Sequence, residues 1–95
     1  MSYELEFKKS ALKEWKKLGA SIQTQFKKKL VDILENPHIE SAKLSGGNEL
    51  YKIKLRQAGY RLVYEVNDSI VTVTVISVGK HDKGKVYKVA MDRLV

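Results

Sequence analysis

The chain has 95 residues, room for one core of the marginal kind that removes roughly 60 to 65% of the unfolded surface from water. Apolar residues supply 43% of it and proline occurs once, which excludes a disordered chain; 18 Lys and Arg against 11 Asp and Glu leave a formal charge of +7. That excess calls for a polyanionic partner, though nucleic acid, anionic membrane and acidic protein would all satisfy it. Cysteine is absent, which excludes disulfides and thiolate metal sites.

The opening MSYELEFKKS has no apolar centre of the kind a signal peptide needs, and the longest apolar-rich run, Ile70 to Val78, is broken by Thr72, Thr74 and Ser77. A cytoplasmic protein with no membrane partner is therefore expected. Tyr3, Leu5 and Phe7 alternate with Ser2, Glu4 and Glu6, the period of a strand with one buried face. Ser10 can cap a first helix that turns Leu12, Trp15 and Leu18 to the core, with Gly19 as its left-handed stop. A second helix is predicted from about Ser21 to just before Pro37, with Ile22, Phe26, Leu30, Ile33 and Leu34 on one stripe. Lys13, Lys16, Lys17, Lys27, Lys28 and Lys29 lie on the outward faces, a solvated surface. His38 falls in the following loop, with no partner pattern and no assigned role.

Residues 37–48 carry loop signals, after which three strands are predicted: Leu50–Arg56, Tyr60–Val66 and Ile70–Val78. Gln57-Ala58-Gly59 and Asn67-Asp68-Ser69 join them, connections short enough for hairpins. A closing helix is marked by Val86, Val89, Ala90 and Leu94. No internal repeat or linker interrupts the chain, so a single α+β domain over 1–95 is expected: strand, two helices, a three-stranded antiparallel meander, and a helix.

The meander places the charges. In the first of its strands Tyr51, Ile53 and Leu55 point one way and Lys52, Lys54 and Arg56 the other. In the second, Leu62 and Tyr64 oppose Arg61, Val63 and Glu65. A one-residue slip would exchange the faces, so the register that shares Ile53, Leu55, Leu62 and Tyr64 on one side is required, and it sets Lys54 beside Arg61. Like charges across neighbouring strands are unfavourable. The arrangement is either a wet sheet face or a phosphate site. Tyr51, Tyr60 and Tyr64 belong to the apolar side and are expected to pack there.

YKIKLRQAGYRLVYEV, then ISVGKHDKGKVY, together with ALKEWKKLG near the start, closely resemble the RelE family of bacterial toxins, and the likeness spans nearly the whole chain. The resemblance implies a microbial-ribonuclease-like fold and cleavage of messenger RNA in the ribosomal A site. It also implies neutralisation by a cognate RelB-like antitoxin, with operator DNA bound only through that complex in repression of the shared operon. Lys52, Lys54 and Arg61 match the family's basic cluster around the scissile phosphate, and Tyr87 matches its functional tyrosine. Two positions depart: His81 stands where the archetype has an arginine assigned to leaving-group protonation, and Ser45 where a loop arginine helps bind RNA. Relatives similar to YoeB use a histidine near this point, which keeps His81 as the candidate acid.

The chain shows no metal-ligand pattern and only two histidines, so a cofactor-free, metal-independent route is expected, with the RNA 2′-hydroxyl as nucleophile and a 2′,3′-cyclic phosphate and 5′-hydroxyl as products. Lys54 and Arg61 suit charge neutralisation, typically worth about 10² to 10³ in rate per donor. Lys52 is a candidate base, since a lysine in a cationic cluster loses its proton more readily. A histidine acid is worth about 10² to 10⁴, the role open to His81. Tyr87 could orient the 2′-hydroxyl or simply pack. Two rivals remain: a non-catalytic ParE-like gyrase inhibitor, and a nucleic-acid-binding module that grips phosphates without chemistry.

Overall fold

The computed structural model describes residues 2–44, 49–81 and 84–94. In chain order the elements are β1 (Glu4–Phe7), α1 (Lys9–Lys16), α2 (Ala20–Glu35), a single 3₁₀ turn (Glu40–Ala42), β2 (Leu50–Leu55), β3 (Tyr60–Asn67), β4 (Thr72–Lys80) and α3 (Lys85–Arg93). The predicted meander forms, but the sheet has four strands in the order β1-β4-β3-β2. β1 joins it in parallel beside β4, Glu4 opposite Thr72 and Phe7 opposite Val75. Among the described residues no helix is long and apolar enough to cross a membrane.

One face of the sheet is closed by α1 and α2. Phe26, Leu30 and Ile33 of α2 pack with Ala11 of α1 and with Tyr51, Ile53, Leu55, Leu62, Tyr64, Val66, Val73, Val75 and Val78 of the strands. The α2 stripe is the predicted one. On α1 Trp15 and Leu18 pack against the core as expected, but Leu12 is 37% exposed and Ala11 is the fully buried residue. Lys8 rather than Ser10 caps α1, with no side-chain hydrogen bond. Gly19 is not a left-handed stop either; its extended backbone (φ −63, ψ 154) caps the start of α2.

The third strand of the meander begins later than predicted. The Asn67 side chain accepts the N–H groups of Ser69 and Ile70, and Val71 takes a left-handed backbone (φ 50). The turn therefore consumes Ile70 and Val71, and β4 starts at Thr72. A β-bulge then interrupts it: Val63 faces Ser77 and Tyr64 faces Val75, which leaves Ile76 unopposed. The extra residue breaks the alternation. Val75 and Val78 stay in the helix-covered core, while Ile76 joins Leu50, Val63, Val86 and Ala90 in a second, smaller core under α3. The buried Ser77 hydroxyl donates to the Val86 carbonyl at 2.8 Å, tying α3 to the bulge.

Candidate active site

The β2–β3 register is the expected one: Lys54 pairs with Arg61, Ile53 with Leu62 and Lys52 with Val63. Gly79 of β4 completes the row beyond Arg61. The face is not simply wet, because α3 covers Leu50, Val63 and Ile76, and Lys52, Lys54 and Arg61 sit half-buried at the border of that cover. Lys54 is the centre of the cluster. The Lys52 ammonium above all, then partial burial, Arg56 and Arg61 hold Lys54 below the ordinary lysine range. Lys54 thus holds its proton less tightly than an ordinary lysine and joins Lys52, the residue the sequence suggests, as a candidate base.

Three grooves converge there. One of about 260 Å³ lies between α2 and β2 and is lined by Lys29, Ile39, Lys52 and Lys54 among others. Another, of about 230 Å³, is formed by Ser41, Ala42, Lys52, Lys54 and Arg56. A third brings Gln25, Lys29 and Arg56 together, again against Lys54. β2 is the outer strand of the sheet; its edge is paired with Lys43 and Leu44 near Leu50 and Tyr51, and the grooves run beside Lys52 to Arg56 beyond that pairing.

Two buried polar atoms here have no hydrogen-bond partner among the described residues: Arg61 Nε and the Tyr87 hydroxyl. Arg61 otherwise donates from Nη1 to the Tyr60 carbonyl at 2.9 Å. Tyr87, in the first turn of α3, packs its ring against the second core on the cationic side of the sheet. Leaving such groups unpaired costs free energy, roughly 1 to 3 kcal/mol each in proteins; a phosphate oxygen or ribose hydroxyl would supply what is missing. His81 is exposed, directly after β4, where its N–H donates to the Gly59 carbonyl at 2.6 Å and extends the ladder by one step. Ser45, like the Asp82 and Lys83 that follow His81, lies outside the described residues.

A second polar cluster sits at the other end of the β2–β3 hairpin. His38 is not the partnerless loop residue the sequence suggested. Its Nδ1 lies 3.0 Å from both the Tyr51 hydroxyl and Glu49 Oε2, and its Nε2 lies 2.8 Å from Asp68 Oδ1. Tyr3 donates to Asp68 and Tyr51 to Glu49. His38, Glu49 and Asp68 could also gather around a cation, since each offers an atom within 4.8 Å of the others, a grouping no local spacing announced. The two carboxylates flank opposite ring nitrogens, however, so the groups satisfy one another, and the tyrosine and histidine bonds hold Asp68 below the usual carboxylate range.

Over residues 5–84 the sequence matches the family described as ParE toxin of type II toxin-antitoxin system, parDE. It is 55% identical to the mRNA interferase toxin RelE of Escherichia coli K12 over 95 residues, all of both chains. The chain belongs to the RelE/ParE toxin family. The free E. coli RelE toxin, solved as a double alanine variant, superposes with a TM-score of 0.91 at 55% identity, with full coverage of both chains. A structure of the intact E. coli RelBE toxin–antitoxin complex matches with a TM-score of 0.83 at 57% identity, over 86% of this chain and 100% of that one. The ParE match ends at residue 84, before α3, whereas the RelE match runs through α3 and includes Tyr87.

Proposed function

We propose that this RelE/ParE-family chain is the toxin of a type II toxin–antitoxin pair and that it cuts messenger RNA in the ribosomal A site. The observation that carries the reading is the pairing of Lys54 with Arg61 beside two buried, unpartnered polar atoms, Arg61 Nε and the Tyr87 hydroxyl. A surface meant only to repel aggregation would leave its polar atoms in water. The likeness to RelE, which runs through α3 and Tyr87 where the ParE match stops at residue 84, favours cleavage over gyrase inhibition.

In the proposed reaction the 2′-hydroxyl gives its proton to Lys54, whose lowered pKa makes it a better base than an ordinary lysine. The resulting 2′-oxygen attacks phosphorus. Lys52 and Arg61 neutralise the charge that grows on the non-bridging oxygens, Arg61 through its planar fork. Tyr87 hydrogen-bonds the sugar or phosphate from the α3 side. The P–O5′ bond then breaks, and His81 protonates the departing 5′-oxygen, leaving a 2′,3′-cyclic phosphate and a 5′-hydroxyl. An exposed histidine can present its proton only to a substrate held above the site, which makes the ribosome the source of alignment.

E. coli RelE has been solved with its RelB antitoxin; by likeness this chain is neutralised by a RelB-like partner and meets operator DNA only within that complex. The ribosome dependence places it in the cytoplasm. Primer extension on translated message tests the reading. Discrete cuts in A-site codons, lost in both Arg61→Ala and His81→Ala, are expected. Arrested supercoiling without cuts would support the gyrase alternative, and salt-sensitive RNA binding without cuts a mere binding module.

A further inference from the structure

β1 covers β4 only from Thr72 to Val75, and the ladder on that side ends where the Lys8 N–H meets the Val75 carbonyl at 3.0 Å. From Ile76 to Lys80 the flank of β4 has no neighbouring strand among the described residues, although it carries the bulge. Two side chains take the strand's place. Glu14 of α1 accepts the Val78 N–H through Oε1 at 3.3 Å, and Arg93 in the last turn of α3 donates from Nη1 to the Ile76 carbonyl at 2.7 Å. The two are locked to each other by a fork, with Nη1 to Oε1 at 2.9 Å and Nη2 to Oε2 at 3.1 Å. Fork geometry of this kind fixes orientation as well as charge.

The fork decides where α3 sits. The helix has only nine residues, and a cleft of about 260 Å³, lined by Glu14, Ser77 to Lys80, Lys85, Val86 and Val89, separates part of it from β4. Val86 and Ala90 anchor its apolar side in the second core, while the cleft runs along its Lys85 and Val89 side. Its polar attachments to β4 are the Ser77–Val86 bond near Tyr87 and the Arg93 fork at the opposite end. We propose that Glu14 and Arg93 are positioning residues for RNA cleavage: together they stand in for the missing strand beside the bulge and so fix the position of Tyr87 on the cationic face of the sheet. The proposal rests on the cleavage reading above, and neither residue touches RNA.

A double-mutant cycle tests it. Glu14→Gln and Arg93→Met should lower kcat for ribosome-programmed cleavage by about 10 to 100-fold, the scale expected of a misplaced group, with KM nearly unchanged. In a Tyr87→Phe background the same substitutions should add little, because their effect passes through that hydroxyl. Arg93→Lys should restore part of the rate. The charge swap Glu14→Arg with Arg93→Glu should not: it would turn a cation toward the Val78 N–H and a carboxylate toward the Ile76 carbonyl. Full recovery by the swap, or full additivity with Tyr87→Phe, would overturn the proposal. Ring resonances of Tyr87 read the position without activity: Glu14→Gln should move them and leave those of Tyr64 in place. Wild-type protein that cuts nothing would sink the cleavage reading, whereas unmoved Tyr87 resonances would sink the bracket.

Discussion

Two tyrosines on the helix-covered face of the sheet and one on the cationic face show how differently the two sides are finished. Tyr64 is fully buried and donates to the Pro37 carbonyl at 2.9 Å, and Tyr51 stacks on it with ring centroids 5.4 Å apart and donates to Glu49. Burial pushes the Tyr64 hydroxyl well above the usual phenol range, so it remains a donor at every working pH. Tyr87 has no such partner among the described residues. The same contrast separates the charges: His38, Glu49 and Asp68 satisfy one another, whereas Lys52, Lys54, Arg56 and Arg61 crowd together with one sign. A side chain finished internally serves the fold; one left unfinished at a cost is kept for a ligand.

The contrast breaks first at Arg61. Arg61→Ala should lower ribosome-dependent cleavage by about 10² to 10³-fold without lowering the melting temperature, as read by primer extension beside thermal unfolding. The tyrosines should then separate in opposite senses. Tyr64→Phe removes one of the two donors to the Pro37 carbonyl, which keeps the Ile39 N–H, and should cost about 0.5 to 1.5 kcal/mol of stability with cleavage per folded molecule unchanged. Tyr87→Phe should keep or raise stability while cleavage falls; equal behaviour of the two would erase the distinction.

Much of this was legible in local sequence. Hydrophobic alternation excluded the registers one residue away and the short Gln57-Ala58-Gly59 connection favoured the one that pairs Lys54 with Arg61, and the α2 stripe followed from helical spacing. What was not legible depends on distant partners. The parallel β1–β4 pairing joins segments from opposite ends of the chain, and the bulge at Ile76 shows only against the fixed register of β3. Glu14 and Arg93 look like ordinary surface charges until β1 is seen to stop short. His38 had no local signal, since Glu49, Tyr51 and Asp68 reach it only after the strands pair. Ser10 and Gly19 misled because α1 starts before Ser10, at Lys9, and Gly19 serves the start of α2 rather than the end of α1.

Smaller effects sharpen the comparison at the charged groups. Asp68 is held below its ordinary pKa, chiefly by the Tyr3 bond and then by His38. Its contribution to stability is therefore complete above the unfolded value of about 4 and is lost as pH falls through the lower folded value. Denaturant midpoints measured from pH 6 to pH 2 should fall less steeply in Asp68→Asn. The smallest effect is expected at Lys54. Its charged form is disfavoured in the fold, so Lys54→Gln should raise the melting temperature slightly at neutral pH and low salt, and the gain should shrink as added salt screens the cluster.

The parallel pairing of β1 with β4 also bears on how the protein is made. Residue 4 cannot find its partner until residue 72 has been synthesised, and a sheet closed by so distant a contact forms late and slowly. The Lys54–Arg61 hairpin precedes that closure, but Gly79, His81 and Tyr87 follow it. The basic row of β2 and β3 is thus synthesised before α3, which covers part of the same face of the sheet.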